Sequence, residues 1–189
     1  LRLQEEWRGD LSTVSGNEIK LKMESIGASV PGSLIARFKK NMNLEALTLK
    51  RYGGKISLKR FKESFNWEAK DFRLDRVEVA IPPEKSFKRI FGQFSGQGDF
   101  ALNPLAVDGE ITLLYPRLMG LRLEEATIKG TITDDKFLFN AELSPPEKGL
   151  VVVDGKGTLG GPLYTRANAL GVSANWITDS ALQLPKISM

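Results

Sequence analysis

Ile19-Lys20-Leu21-Lys22-Met23-Glu24 alternates apolar and polar side chains without a fault. Phe137-Leu138-Phe139-Asn140-Ala141-Glu142-Leu143 does the same once Leu138 is given to the wetter side. Successive side chains of a strand point to opposite faces, so such runs are β-strands with one apolar and one polar side. Outward from these two, similar runs recur along the chain: Trp7 to Val14, Glu18 to Ser25, Leu44 to Arg51, Lys55 to Phe61, Phe94 to Leu102, Leu121 to Ile132, Leu150 to Leu159 and Leu163 to Leu170. Ser33 to Met42 fits a helix through Leu34, Phe38 and Met42 or a strand through Leu34, Ala36 and Phe38; its neighbours favour the strand. Many short alternating strands joined by turns make an antiparallel sheet with one continuous apolar face. The expected fold is therefore all-β: a long, curled antiparallel sheet forming an open groove, with one short helix near residues 83–92.

That helix rests on Pro83 and Glu84 at its start, the stripe Phe87, Ile90 and Phe91, and Gly92 at its end. Tyr52-Gly53-Gly54-Lys55 reads as a hairpin turn in which Gly-Gly supplies positive φ. Asn66 to Ile81 reads as one extended element with a parity slip: Phe72 and Leu74 are even, Val77, Val79 and Ile81 odd, which predicts a bulge near Asp75-Arg76. Leu121 and Leu123 against Ala126 and Ile128 predict another near Glu124-Glu125. Bulges bend a sheet, so both favour a curled one. Residues 1–189 read as one continuous groove, with a possible sub-repeat boundary at 82–93. Asn66-Trp67 and Asn175-Trp176 hint at a long repeat, their tryptophans 109 positions apart.

The apolar positions expected to line the concave side are Ile19, Leu21, Met23, Leu47, Leu49, Ile56, Leu58, Phe72, Leu74, Val77, Val79, Phe100, Leu102, Ile111, Leu113, Phe137 and Phe139. A face of this kind must be hidden by folding onto itself or by holding something apolar.

Composition excludes much chemistry. The chain has 189 residues, no Cys and no His, which removes Cys nucleophiles, Ser-His-Asp triads and zinc sites built on Cys or His. Gly155-Lys156-Gly157-Thr158-Leu159-Gly160 matches a dinucleotide-binding pattern, but Gly161-Pro162 follows where a helix would have to open. Glu124-Glu125 and Asp134-Asp135 fall at a bulge and a turn, so no catalytic constellation, cofactor site or metal site emerges. Aromatic and basic residues interleave too sparsely for stacked bases, so no nucleic-acid partner is expected. No run of 18 apolar residues exists, and the chain opens at Leu1 within a strand-like pattern. It reads as a piece of a longer protein whose anchor lies outside it.

The net charge of +4 is unevenly spread: residues 1–90 carry 19 Lys+Arg against 12 Asp+Glu, residues 91–189 carry 8 against 11. Arg37, Lys39, Lys40, Lys50, Arg51, Lys55, Lys59, Arg60 and Lys62 are opposed only by Glu45. They are expected on the outer, wet side, as a solvated face with lysines guarding strand edges. Contact with anionic headgroups or an acidic partner is the alternative.

Phe91-Gly92-Gln93-Phe94-Ser95-Gly96-Gln97-Gly98, Leu102-Asn103-Pro104-Leu105-Ala106-Val107-Asp108-Gly109 and Tyr115-Pro116-Arg117-Leu118-Met119-Gly120-Leu121 carry a resemblance to the TamB family of AsmA-like proteins, of the photosynthetic-lineage type. Gly157-Thr158-Leu159-Gly160-Gly161-Pro162-Leu163 and Gly171-Val172-Ser173-Ala174-Asn175-Trp176 fit the same pattern, over about residues 65–185. The resemblance implies a very large protein anchored in the inner membrane. It crosses the periplasm as a β-taco with a hydrophobic groove and cooperates with an outer-membrane Omp-type barrel assembly protein. It implies passage of phospholipids, held by their acyl chains, in outer-membrane biogenesis, or a role in protein translocation and assembly of outer-membrane proteins. It carries over no catalytic residues.

Overall fold

The computed structural model describes residues 2–3, 6–14, 18–26, 32–75, 77–80, 87–118, 121–173 and 175–176. The alternating segments become strands β1 (Arg2–Leu3), β2 (Glu6–Val14), β3 (Glu18–Ile26), β4 (Ser33–Lys39), β5 (Leu44–Arg51), β6 (Gly54–Phe61), β7 (Ser64–Arg73) and β8 (Val77–Ala80). They continue as β9 (Phe87–Leu102), β10 (Leu105–Leu118), β11 (Leu121–Arg122), β12 (Glu125–Thr133), β13 (Lys136–Ser144), β14 (Leu150–Thr158) and β15 (Leu163–Leu170).

The fold is all-β. Twelve strands form one antiparallel sheet in the order β15-β14-β13-β12-β10-β9-β7-β6-β5-β4-β3-β2, and the sheet does not close into a barrel. Short strands fill its margin: β8 pairs with β9 and β1, and β11 with β10. Among the described elements close backbone approach is confined to sheet neighbours, apart from β5 and β7, which approach across β6. The β5–β7 approach marks a sharp curl. Arg51, on the apolar face of β5, donates to the carbonyls of Arg73 (3.4 Å) and Asp75 (2.9 Å), so the curl there is toward that face.

The expected helix near residues 83–92 is not formed where the structure describes it: Phe87–Gly92 is strand, and residues 83–86 lie outside the described residues. Ladder pairing explains the difference. Ile90 stands opposite Val77 and Lys88 opposite Val79, so this segment meets β8 with its backbone bonds shared. An isolated helix of that length is marginal in water. Gly92 is no helix cap but lies at the irregularity between β9 and β10, at φ +119°.

Two local expectations also shift. In the β5–β6 turn the positive φ values belong to Tyr52 (+47°) and Gly53 (+84°), while Gly54 already begins β6. The element expected over Asn66 to Ile81 is two strands, and the bulge of β7 comes earlier than Asp75-Arg76, between Ala69 and Phe72, with Asp71 at φ +51°. Its signal was present, since Phe65, Trp67 and Ala69 are odd and Phe72 is even. The second interruption falls at Glu124, whose N–H donates to the Ser144 carbonyl at 2.8 Å and whose carbonyl accepts from Tyr115 at 2.7 Å. β9, which begins at Phe87, pairs with both β7 and β10, and residues 82–86 of the suggested boundary lie outside the described residues.

Candidate functional site

Directly opposed residues of antiparallel strands share a face. Register therefore lays Leu11, Leu21, Ala36, Leu47 and Leu58 in one row across β2–β6. A second row holds Gly9, Met23, Leu34, Leu49 and Ile56. Ile19, opposite Phe38, begins a third. Ala36 is buried, but Ile19, Leu21, Met23, Leu34, Leu47, Leu49, Ile56 and Leu58 are all only half-buried. This is a continuous aliphatic carpet. Strands lie about 4.8 Å apart, so five of them give a stripe of about 19 Å.

Charged groups stand at both margins of the carpet. At one, Arg51 is buried (2% exposed). At the other, Glu45 Oε1 lies 3.3 Å from Lys39 Nζ and 3.6 Å from Arg60 Nε, buried and without a hydrogen bond. Arg60 Nε donates to the Leu44 carbonyl at 2.9 Å, and its guanidinium sits 4.9 Å above the Phe65 ring. Polar groups thus bound the apolar surface on two sides.

Across β7–β15 the same face changes character. Phe100 stacks on buried Phe65 at 5.1 Å, Trp67 on Phe94 at 6.2 Å, and Phe137 on Phe139 at 6.4 Å. The row that reads leucine in β3, β5 and β6 reads Trp67, Gly98, Gly109, Gly130, Phe139 and Gly155 here. The large rings lie over the glycines: a side chain on Gly98 or Gly109 would strike Trp67, and one on Gly155 would strike Phe139. Aromatic rings thus cover glycine backbone along this row. Ile111 stands opposite Ile128, and Leu113 opposite Phe94 and Ala126, while buried Phe72 faces Phe94.

The remaining positions of the expected set lie at the margins. Leu74 is half-buried just beyond β7, its N–H donating to the Gly92 carbonyl at 2.9 Å. Val77 and Val79 belong to the short β8. Leu102, at the β9–β10 turn, is 64% exposed, so it joins no packed surface. Leu34, Ala36 and Ile128 share the apolar rows although they lie outside the expected concave set, and their parity is the available signal. The two tryptophans of the suspected repeat sit differently: Trp67 covers glycines, whereas Trp176 Nε1 donates to the Arg122 carbonyl at 3.1 Å.

A cavity of about 1150 Å³ opens on the opposite, polar face of β7–β15. Its lining residues come in threes centred on the Trp67–Gly155 row, for example Asn66-Trp67-Glu68, Asp108-Gly109-Glu110 and Asp154-Gly155-Lys156. Apart from Leu138 and the ring of Tyr164 the flanking side chains are polar: Asn66 bonds Asp99, Asn140 donates to Asp154 at 2.9 Å, and Lys129 pairs with Glu110 at 3.3 Å. The open space therefore lies behind the glycine row, while rings occupy its apolar side. On the polar face of β3, Lys22 pairs with Glu24 at 2.8 Å; that hydrogen bond and charge raise the Lys22 pKa.

No three acidic, Cys or His side chains among the described residues are grouped to hold a metal. No helix among them is long and apolar enough to cross a membrane. The geometry defines an open antiparallel sheet whose strands carry one apolar face. Comparison with protein-family models, curated proteins and solved structures returns no match.

Proposed function

We propose that this chain is a stretch of a lipid-conducting β-groove of the TamB kind, in which the aliphatic face of β2–β6 holds phospholipid acyl chains in transit between inner and outer membranes. One observation carries the reading: Leu21, Met23, Leu47, Leu49, Ile56 and Leu58 form a continuous, half-buried apolar stripe on one face of an open sheet. The stripe of about 19 Å exceeds the roughly 15 Å of one leaflet's hydrocarbon. Each CH₂ buried there contributes about 0.8 kcal/mol. Along its two central rows no polar side chain fixes an acyl chain in one position, which suits sliding. The longer protein would be anchored in the inner membrane outside these residues, act in the periplasm without catalysis, and meet an Omp-type barrel assembly protein at the outer membrane.

A second reading is a scaffold that takes up a client β-strand. It is favoured by β15, which is exposed at every residue from Leu163 to Leu170. That strand carries no Lys and no Pro, the usual guards of a sheet edge. Native mass spectrometry of the purified chain, followed by lipid extraction, separates the two. Co-purified phospholipid displaced by added fatty acid supports the groove. A chain free of lipid that retains unfolded outer-membrane barrel protein supports the scaffold instead.

A further inference from the structure

Of the basic residues expected on the outer, wet side, Arg37, Lys50, Lys55 and Lys59 stand there, whereas Arg51 and Arg60 lie on the apolar face, and the lysines sit within the sheet rather than at its edges. Lys50 of β5 stands directly opposite Lys55 of β6, which stands directly opposite Lys70 of β7. These three strands are interior, each paired on both sides, so there is no edge for them to guard. On the same polar face Lys20 is directly opposite Arg37, and Lys59 lies one strand beyond Ala46 in that row. Like charges directly opposite on neighbouring strands destabilise a sheet. None of these six side chains makes an ion pair among the described residues. Glu68 and Asp71 line the same shallow cleft as Lys55 and Lys70, yet neither pairs with them. Asp71 instead accepts from Gln93 at 3.0 Å. The sheet thus carries an excess of positive charge across its middle that no ion pair among the described residues takes up, with adjacent charges well inside a Debye length of about 10 Å.

We propose that the polar face of β3–β7 docks on the surface of an anionic lipid bilayer. The chemistry of the patch favours headgroups over a protein partner. Protein interfaces are enriched in Arg and aromatics and depleted of Lys, whereas five of these six groups are lysines and the ladder contains no aromatic. Lysine is a compact point charge on a long stem that meets headgroups without a fixed geometry. The proposal goes beyond the groove reading and stands without it, because it concerns the opposite face of the sheet.

The test is flotation of the chain with vesicles of phosphatidylcholine alone or mixed with phosphatidylglycerol. The wild-type chain should float with the mixed vesicles only, and raised salt should release it. Lys50→Gln, Lys55→Gln and Lys70→Gln together should weaken binding on the order of a hundredfold. The same three positions changed to Arg should bind as wild type. Changing Lys136, Lys148 and Lys156 to Gln alters net charge equally and should have little effect. Removing like-charge repulsion does not threaten the fold, and unchanged circular dichroism of the Gln variant verifies this. Equal binding by the Gln variant and wild type, or binding to neutral vesicles that salt does not disturb, overturns the proposal. So does a wild-type chain that ignores vesicles but is held by polyglutamate through these lysines.

Discussion

Replacing Gly155 by Ala tests whether the aromatic rings of this face pack down onto its glycine backbone. A Cβ at Gly155 would meet only the Phe139 ring among its three nearest atoms. Gly155 has no positive φ, so the backbone itself accepts Ala. In the wild-type background the ring must lift off β14, an overpacking cost of about 1–3 kcal/mol. Phe139→Ala alone loses a half-buried ring stacked on Phe137 and should cost about 2 kcal/mol. In the double variant the obstacle is gone, and Gly→Ala should turn neutral or stabilising by about 0.4–1 kcal/mol through the unfolded chain. The two changes are therefore expected to couple by roughly 2–3 kcal/mol, with the double variant no less stable than Phe139→Ala. Urea unfolding of the four proteins, followed by far-ultraviolet circular dichroism, measures the cycle. Additivity within about 0.5 kcal/mol would refute the reasoning, because the ring would then not be lying on that glycine.

Three further outcomes are expected. Leu49→Arg, in the middle of the aliphatic stripe, should abolish photocrosslinking to phospholipid while β-content persists, since an open surface lets the guanidinium lean toward water; a folded variant crosslinking as wild type would remove the main support for the groove. Arg51→Lys keeps the charge but loses the fork that reaches Arg73 and Asp75, so it should cost about 2 kcal/mol and speed hydrogen exchange at the Leu74 amide; unchanged exchange there would show that Arg51 does not hold the curl. Placing Lys at Thr165 and Ala167 should suppress concentration-dependent association if the exposed β15 edge drives it, as light scattering across a dilution series would reveal.

Period-two alternation is a local property, and where it is clean the chain is legible by itself. Leu44–Arg51 and Leu163–Leu170 were read to the residue, and most of the apolar set falls in shared rows because parity alone assigns a face. Phe87–Gly92 misled for a local reason too: Phe87, Ile90 and Phe91 suit a helical stripe as well as a strand, and only the presence of β8 as a partner decides between them. The rest depends on register between segments far apart in sequence, which no local pattern encodes. Nothing in the order of residues announces that Lys50, Lys55 and Lys70 stand in line, that Trp67 lies over Gly98 and Gly109, or that Arg51 reaches across β6 to the end of β7. Alternation determined which side of each strand is apolar. Pairing and curl, set by bulges, turns and the fit of rings over glycines, decided what each of those sides meets.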